Sequence, residues 1–138
     1  MTEEQFRIKH SELIAYYQYI EFHLKALCAD LVTDENKSWF EHLNEYEADS
    51  FGAMLRELKG LCLQSRPDLF SEESLNALEA LRERRNYWVH QCFIGNPAIV
   101  FRKGILKHPQ HGRMLETDLR DAIEWDERIV EIIRSIKK

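Results

Sequence analysis

Apolar residues recur at three- and four-residue steps over most of the chain. Phe6, Leu13, Tyr17, Ile20, Leu24, Leu27 and Leu31 form one stripe, which predicts a helix over residues 3 to about 32 with Thr2 as its N-cap. Residues 36 to 47, carrying Trp39, Phe40, Leu43 and Tyr46, suggest a short second helix. Ser50 is placed to cap a third, to about residue 64, that buries Phe51, Met54, Leu55, Leu58 and Leu61. Pro67 closes that section. Ser71 opens a fourth helix running to about residue 94, where Gly95-Asn96-Pro97 gives a stop signal.

The following stretch, AIVFRKGILK, breaks the helical period. Two short apolar runs flank Arg102-Lys103-Gly104 and read as a loop or a two-stranded ribbon. Thr117 is then the expected cap of a last helix whose apolar positions are Leu119, Ile123, Ile129, Val130, Ile133 and Ile136. No internal repeat or low-complexity segment interrupts this order. The pattern predicts an all-α bundle over residues 1–138 as one domain, with a basic loop insertion at 99–115.

Composition narrows the class. A chain of 138 residues, 44% hydrophobic and 31% charged, can bury a core unaided. No apolar run approaches the roughly 20 residues that span a bilayer. The acidic start MTEEQF does not match a signal peptide, so a cytoplasmic, non-membrane protein is expected. Cys28, Cys62 and Cys92 are far apart and form no C-x-x-C pair, so buried reduced thiols are expected. A net charge of −5 argues against non-specific coating of nucleic acid, though not against a local basic patch.

One position breaks the binary pattern of the fourth helix. At ~100° per residue, Leu78, Leu81, Trp88, Val89 and Cys92 share a side, and Arg85 lies among them. The opposite side carries Glu79, Arg82, Glu83, Asn86 and His90. On a straight helix Arg85 and His90 are then ~140° apart around the axis and ~7.5 Å apart along it. A guanidinium on an apolar face stays charged and must be paired or reach out. The structural explanation is an ion pair, with Asp126 as first partner because it lies among apolar positions of the last helix, and Glu21 as second. The functional explanation is phosphodiester chemistry. Arginine grips phosphate oxygens through paired hydrogen bonds, and imidazole moves protons at neutral pH. The two side chains do not share a face in one straight helix, so such a site calls for a two-fold dimer in which two copies of this helix end line one cleft.

Arg85-Asn86-x-x-x-His90 resembles the R-(N/D/H)-x(3–5)-H signature of HEPN domains. "SFGAMLREL", residues 50 to 58, is similar to the T-L-G-x-L-I-x-x-L stretch that precedes that signature in many small bacterial members. "LRERRNYWVHQCF" is similar to their L-x-x-R-N-x-L-x-H-x-F-F block, with His90 and Phe93 in matching positions. The likeness covers residues 1 to about 95. It implies a HEPN-like bundle, a homodimer, and a metal-independent endoribonuclease (a hydrolase of toxin, phage-defence or RNA-processing type) with a cleft shared between chains. Arg85 would then polarise the scissile phosphate, His90 would act as acid/base or transition-state donor, and Asn86 would orient His90 or the backbone. One toxin subfamily has a tyrosine, modified by an antitoxin partner, two residues after the histidine; here that position is Cys92. Other members are non-catalytic dimeric modules that bind a nucleotide or a protein, and this is the competing expectation.

The stretch 99–115 carries Arg102, Lys103, Lys107, His108, His111 and Arg113 and no acidic residue. With Phe101 interleaved, it would suit single-stranded RNA, and Arg82 beside the signature would extend that surface. The alternative is a solvated loop offsetting an acidic body. His108 and His111 lack the further ligands of a metal site, there is no phosphate-cradling glycine loop, and no serine or cysteine nucleophile motif is present, so neither metal nor cofactor is expected.

Overall fold

The computed structural model describes residues 1–32, 36–93 and 99–137. Five α-helices account for most of them: α1 Glu3–Leu31, α2 Trp39–Tyr46, α3 Phe51–Ser65, α4 Glu72–Asn86 and α5 Pro109–Ile136. Between α4 and α5 lie a π-helical turn, Tyr87–Gln91, and a ribbon of two short antiparallel strands, β1 Phe101–Arg102 and β2 Ile105–Leu106. The fold is all-α with one short ribbon. No described helix is long and apolar enough to cross a membrane.

The helix starts follow local chemistry. Thr2 and Ser38 close capping boxes with Gln5 and Glu41, and Ser50 and Ser71 each accept the amide three residues on. The whole predicted stripe of α1, from Phe6 to Leu31, is buried, and the three cysteines are buried free thiols. Lys9 with Glu116 and His23 with Asp126 link α1 to α5 and set the two long helices running the same way. Arg84 with Asp118 and Ser74 with Arg128 set α4 against them. The core lies between α1, α3 and α5, closed at one end by Trp88 and Phe6.

Several expectations are corrected. The fourth helix does not continue regularly past residue 86: the Cys92 amide bonds to the Tyr87 carbonyl, five residues back, at 3.0 Å. Val89 lies outward, 36% exposed, rather than on the apolar face. Residues 94–98, with the expected Gly95-Asn96-Pro97 stop, lie outside the described residues.

The last helix begins at Pro109, not after Thr117, so the second half of the basic stretch is helical rather than loop. Proline suits the first turn, and Gly112 is accommodated because Leu106 and Met1 pack where its side chain would be. Of the apolar positions assigned to this helix, Leu119 and Ile129 are buried, whereas Ile123, Val130, Ile133 and Ile136 are half-buried, as is Leu61 on α3. The ribbon turns through Lys103 and Gly104, both at positive φ (52° and 74°), as a tight two-residue hairpin requires. It docks on the chain start through Glu3 N–H to Gly104 O (2.8 Å) and Leu106 N–H to Met1 O (3.0 Å).

Candidate active site

Arg85 occupies the last turn of α4, half-buried against α1 and α3. Its guanidinium lies 3.6 Å from the Glu21 carboxylate, 5.8 Å from the Phe51 ring centre, and at 3.5 Å donates to Asn86 Oδ1. The second ion-pair candidate, Glu21, is therefore the residue beside it, and Lys25 approaches the same carboxylate at 3.9 Å. Glu21 also lines an open groove of about 320 Å³ with Phe22, Lys25 and Asn44.

Asp126, the first candidate, is engaged elsewhere. His23 Nδ1–H donates to its Oδ1 at 2.5 Å. On α1, Glu21 and His23 are two residues and ~200° apart, so Arg85 and Asp126 meet different faces of that helix.

His90 sits on the π turn, exposed, with no side-chain hydrogen bond or ion pair among the described residues. The turn changes the wheel. A π turn takes about one more residue per revolution than an α turn, so each residue advances less and the Arg85-to-His90 angle closes by roughly 50° from its straight-helix value. Arg85, Asn86 and His90 are thus nearer one side than a regular helix allows, though His90 and Arg85 remain without a direct contact.

Sequence reasoning missed the polar residues that support this turn. Asp118 on α5 is buried, accepts the Trp88 indole N–H at 2.6 Å and receives Arg84 Nε–H at 2.9 Å. Its signal was available: an aspartate between Leu115, Leu119 and Ala122 is the same kind of anomaly as Arg85. His10 on α1 meets the Trp88 carbonyl at 2.9 Å. The Tyr17 hydroxyl, nearby and buried with no hydrogen-bond partner among the described residues, has its pKa pushed well up by burial and then by the Asp118 charge. Burial also pushes up the Cys92 thiol, which packs as a core group.

The candidate RNA-binding residues fall into two groups. Arg82 is half-buried and paired with Glu79 at 3.0 Å, over Gly52 of α3, so its charge is largely engaged. Arg102, Lys103, Lys107 and Arg113 are exposed on the ribbon and the first turns of α5, with no ion pair among the described residues. The ribbon reaches the signature through aromatics. Phe101 and Phe93 both pack on Phe6, with Arg7 lying 5.7 and 5.6 Å from their ring centres. The basic ribbon and the segment just after His90 therefore occupy the same end of the bundle.

His108 and His111 stand ring to ring at 5.7 Å, and among the described residues no group of three or more His, Cys, Asp or Glu is placed to hold a metal ion. Comparison of the chain with models of known protein families, with curated proteins and with solved structures finds no match.

Proposed function

We propose that this protein is a metal-independent endoribonuclease of the HEPN type, acting as a homodimer whose two Arg85–His90 sets line one cleft. The observation that carries the proposal is the π turn between the two residues. It turns His90 toward the Arg85 side of the helix and leaves its side chain without an internal partner among the described residues, so its ring is open to a substrate. Arg85 is not sealed in. Its contact with Glu21 is long, and a phosphodiester presenting two oxygens would compete for the guanidinium through shorter paired hydrogen bonds.

In the reaction, Arg85 holds the scissile phosphate and offsets the charge that builds on its oxygens. The ribose 2′-oxygen attacks phosphorus as its proton passes to an imidazole. The bond from phosphorus to the 5′-oxygen breaks, and the departing oxygen takes a proton from the solvent, to which the imidazolium returns the one it gained. Water is not consumed in this step, and the products are a 2′,3′-cyclic phosphate and a 5′-hydroxyl. Asn86, which accepts from Arg85, orients the guanidinium. Arg102, Lys103, Lys107 and Arg113 supply the phosphate contacts that hold a flanking single strand.

A second reading has one observation in its favour. Glu21 neutralises Arg85 within the chain, as a non-catalytic dimeric module binding a nucleotide or protein would need. In either case a toxin or phage-defence role would add an antitoxin-like protein partner. The deciding experiment is cleavage of a mixed RNA pool in EDTA by wild type and His90→Ala, matched for mass and helicity. Cleavage that survives EDTA and is lost with His90 is expected. Its absence from wild type across RNA pools and pH leaves the binding module, and equal cleavage by both proteins identifies a contaminant.

A further inference from the structure

A helix that widens by one residue leaves a carbonyl without its usual amide four residues on. Here that carbonyl belongs to Trp88, because the Cys92 amide has gone back to Tyr87. Two side chains take its place: His10 of α1 at 2.9 Å and the Cys92 thiol at 3.2 Å. A carbonyl can only accept, so His10 Nε2 carries the hydrogen. The Trp88 side chain is tied as well. Its fully buried indole donates to Asp118 of α5 at 2.6 Å, and Asp118 is held in turn by Arg84. The residue at the centre of the turn is therefore fixed by backbone and side chain to the two long helices.

We propose that His10 and Asp118 are positioning residues: acting through Trp88, they hold the π turn, and the π turn sets the direction in which His90 is presented. Without the His10 donor, the Trp88 carbonyl would be a buried acceptor lacking its strongest partner. The cheapest repair is the regular helix, in which the Cys92 amide returns to Trp88 and His90 swings back toward the side opposite Arg85. Two bonds from distant elements thus select a turn that Tyr87–Gln91 has no local reason to adopt. The proposal rests on the ribonuclease reading only in taking His90 as the reacting side chain.

The test reads the register directly, by scalar coupling across the hydrogen bond from the Cys92 amide nitrogen in isotopically labelled protein. In wild type the coupling is expected to the Tyr87 carbonyl carbon. In His10→Leu it should move to that of Trp88, with kcat for RNA cleavage down about tenfold or more and KM within about twofold. His10→Gln places an amide N–H at a similar reach and should restore both the register and most of kcat. Trp88→Phe keeps an aromatic side chain but removes the indole N–H, and should shift the register in part; it also serves if His10→Leu fails to fold. Coupling that stays on Tyr87 in both His10→Leu and Trp88→Phe overturns the proposal. So does a shifted register with unchanged kcat. If wild type cleaves no RNA, the ribonuclease reading fails by itself, and the register still decides whether His10 and Asp118 hold the turn.

Discussion

Asp118 serves two donors from one buried position, and among the described residues neither is bonded to another carboxylate. Removing it strands the Trp88 indole N–H in the core, while Arg84, which is more exposed, can turn to water. Asp118→Ala should therefore lower the free energy of unfolding by about 2–3 kcal/mol in urea denaturation, most of it from the stranded indole. Asp118→Asn keeps an acceptor and should cost visibly less. Glu21 works in the opposite sense. On the ribonuclease reading it would compete with a phosphate for Arg85, so Glu21→Gln should leave the fold intact and lower KM for RNA by a few-fold in steady-state assays. A raised KM would show instead that Glu21 holds Arg85 in its working position. The ion-pair problem posed by Arg85 was visible in the sequence, but its solution was not. A wheel orders residues around one helix and says nothing about which face of a neighbouring helix each one meets. Glu21 and His23 lie on different faces of α1, and that arrangement gives Glu21 to Arg85 and Asp126 to His23.

At the scale of elements, legibility follows how local the determinants are. The α1 stripe could be read because its positions from Phe6 to Leu31 follow one 3.6-residue period and Thr2 and Gln5 complete their capping box within the first turn; Ala26 and Ala29, also buried, lie off that stripe. The π turn could not, because the groups that hold it, His10 and Asp118, lie 78 and 30 residues away. The start of α5 was missed for a related reason. Its first turn has no acidic residue and its N-cap makes no side-chain hydrogen bond, so Pro109 is the one local start signal there; packing of Gly112 against Leu106 and Met1 supplies what capping does not. This poorly capped end has a consequence in pH. Burial, and then the charge of His108, lower the pKa of His111 in the folded state. As pH falls through the ordinary imidazole range near ~6.5, the unfolded chain takes up a proton more readily than the folded one, so stability present above that range is lost below it. A cation at a helix N-terminus is also opposed by the helix dipole, which acts in the same direction. The urea midpoint should accordingly fall between pH 7.5 and pH 5.5, and His111→Gln should flatten that fall.

At the scale of the whole molecule, the half-buried apolar residues of α5 and the outward rings of α1 bear on whether one chain is enough. Tyr19 and Phe22 are each about half exposed, at 51% and 53%, and Ile123, Val130 and Ile133 are only partly covered. An isolated chain leaves this apolar surface wet, which is where a second copy would gain most by burying it. Position on α1 links this surface to the candidate site: Phe22 follows Glu21, the residue that faces Arg85. If two copies share the cleft, the division of labour between chains can be read by mixing inactive variants. Arg85→Ala and His90→Ala homodimers should each be inactive. After joint denaturation and refolding at equal amounts, about half of the dimers carry one chain of each kind, and each of these retains one intact arginine and one intact histidine on different chains. If Arg85 of one chain works with the partner's His90, each mixed dimer keeps one of two possible pairings, and the mixture should recover about a quarter of wild-type activity. If arginine and histidine of the same chain work together, the mixture stays inactive. That outcome would return the site to a single helix end, where the π turn alone would have to bring His90 round to Arg85.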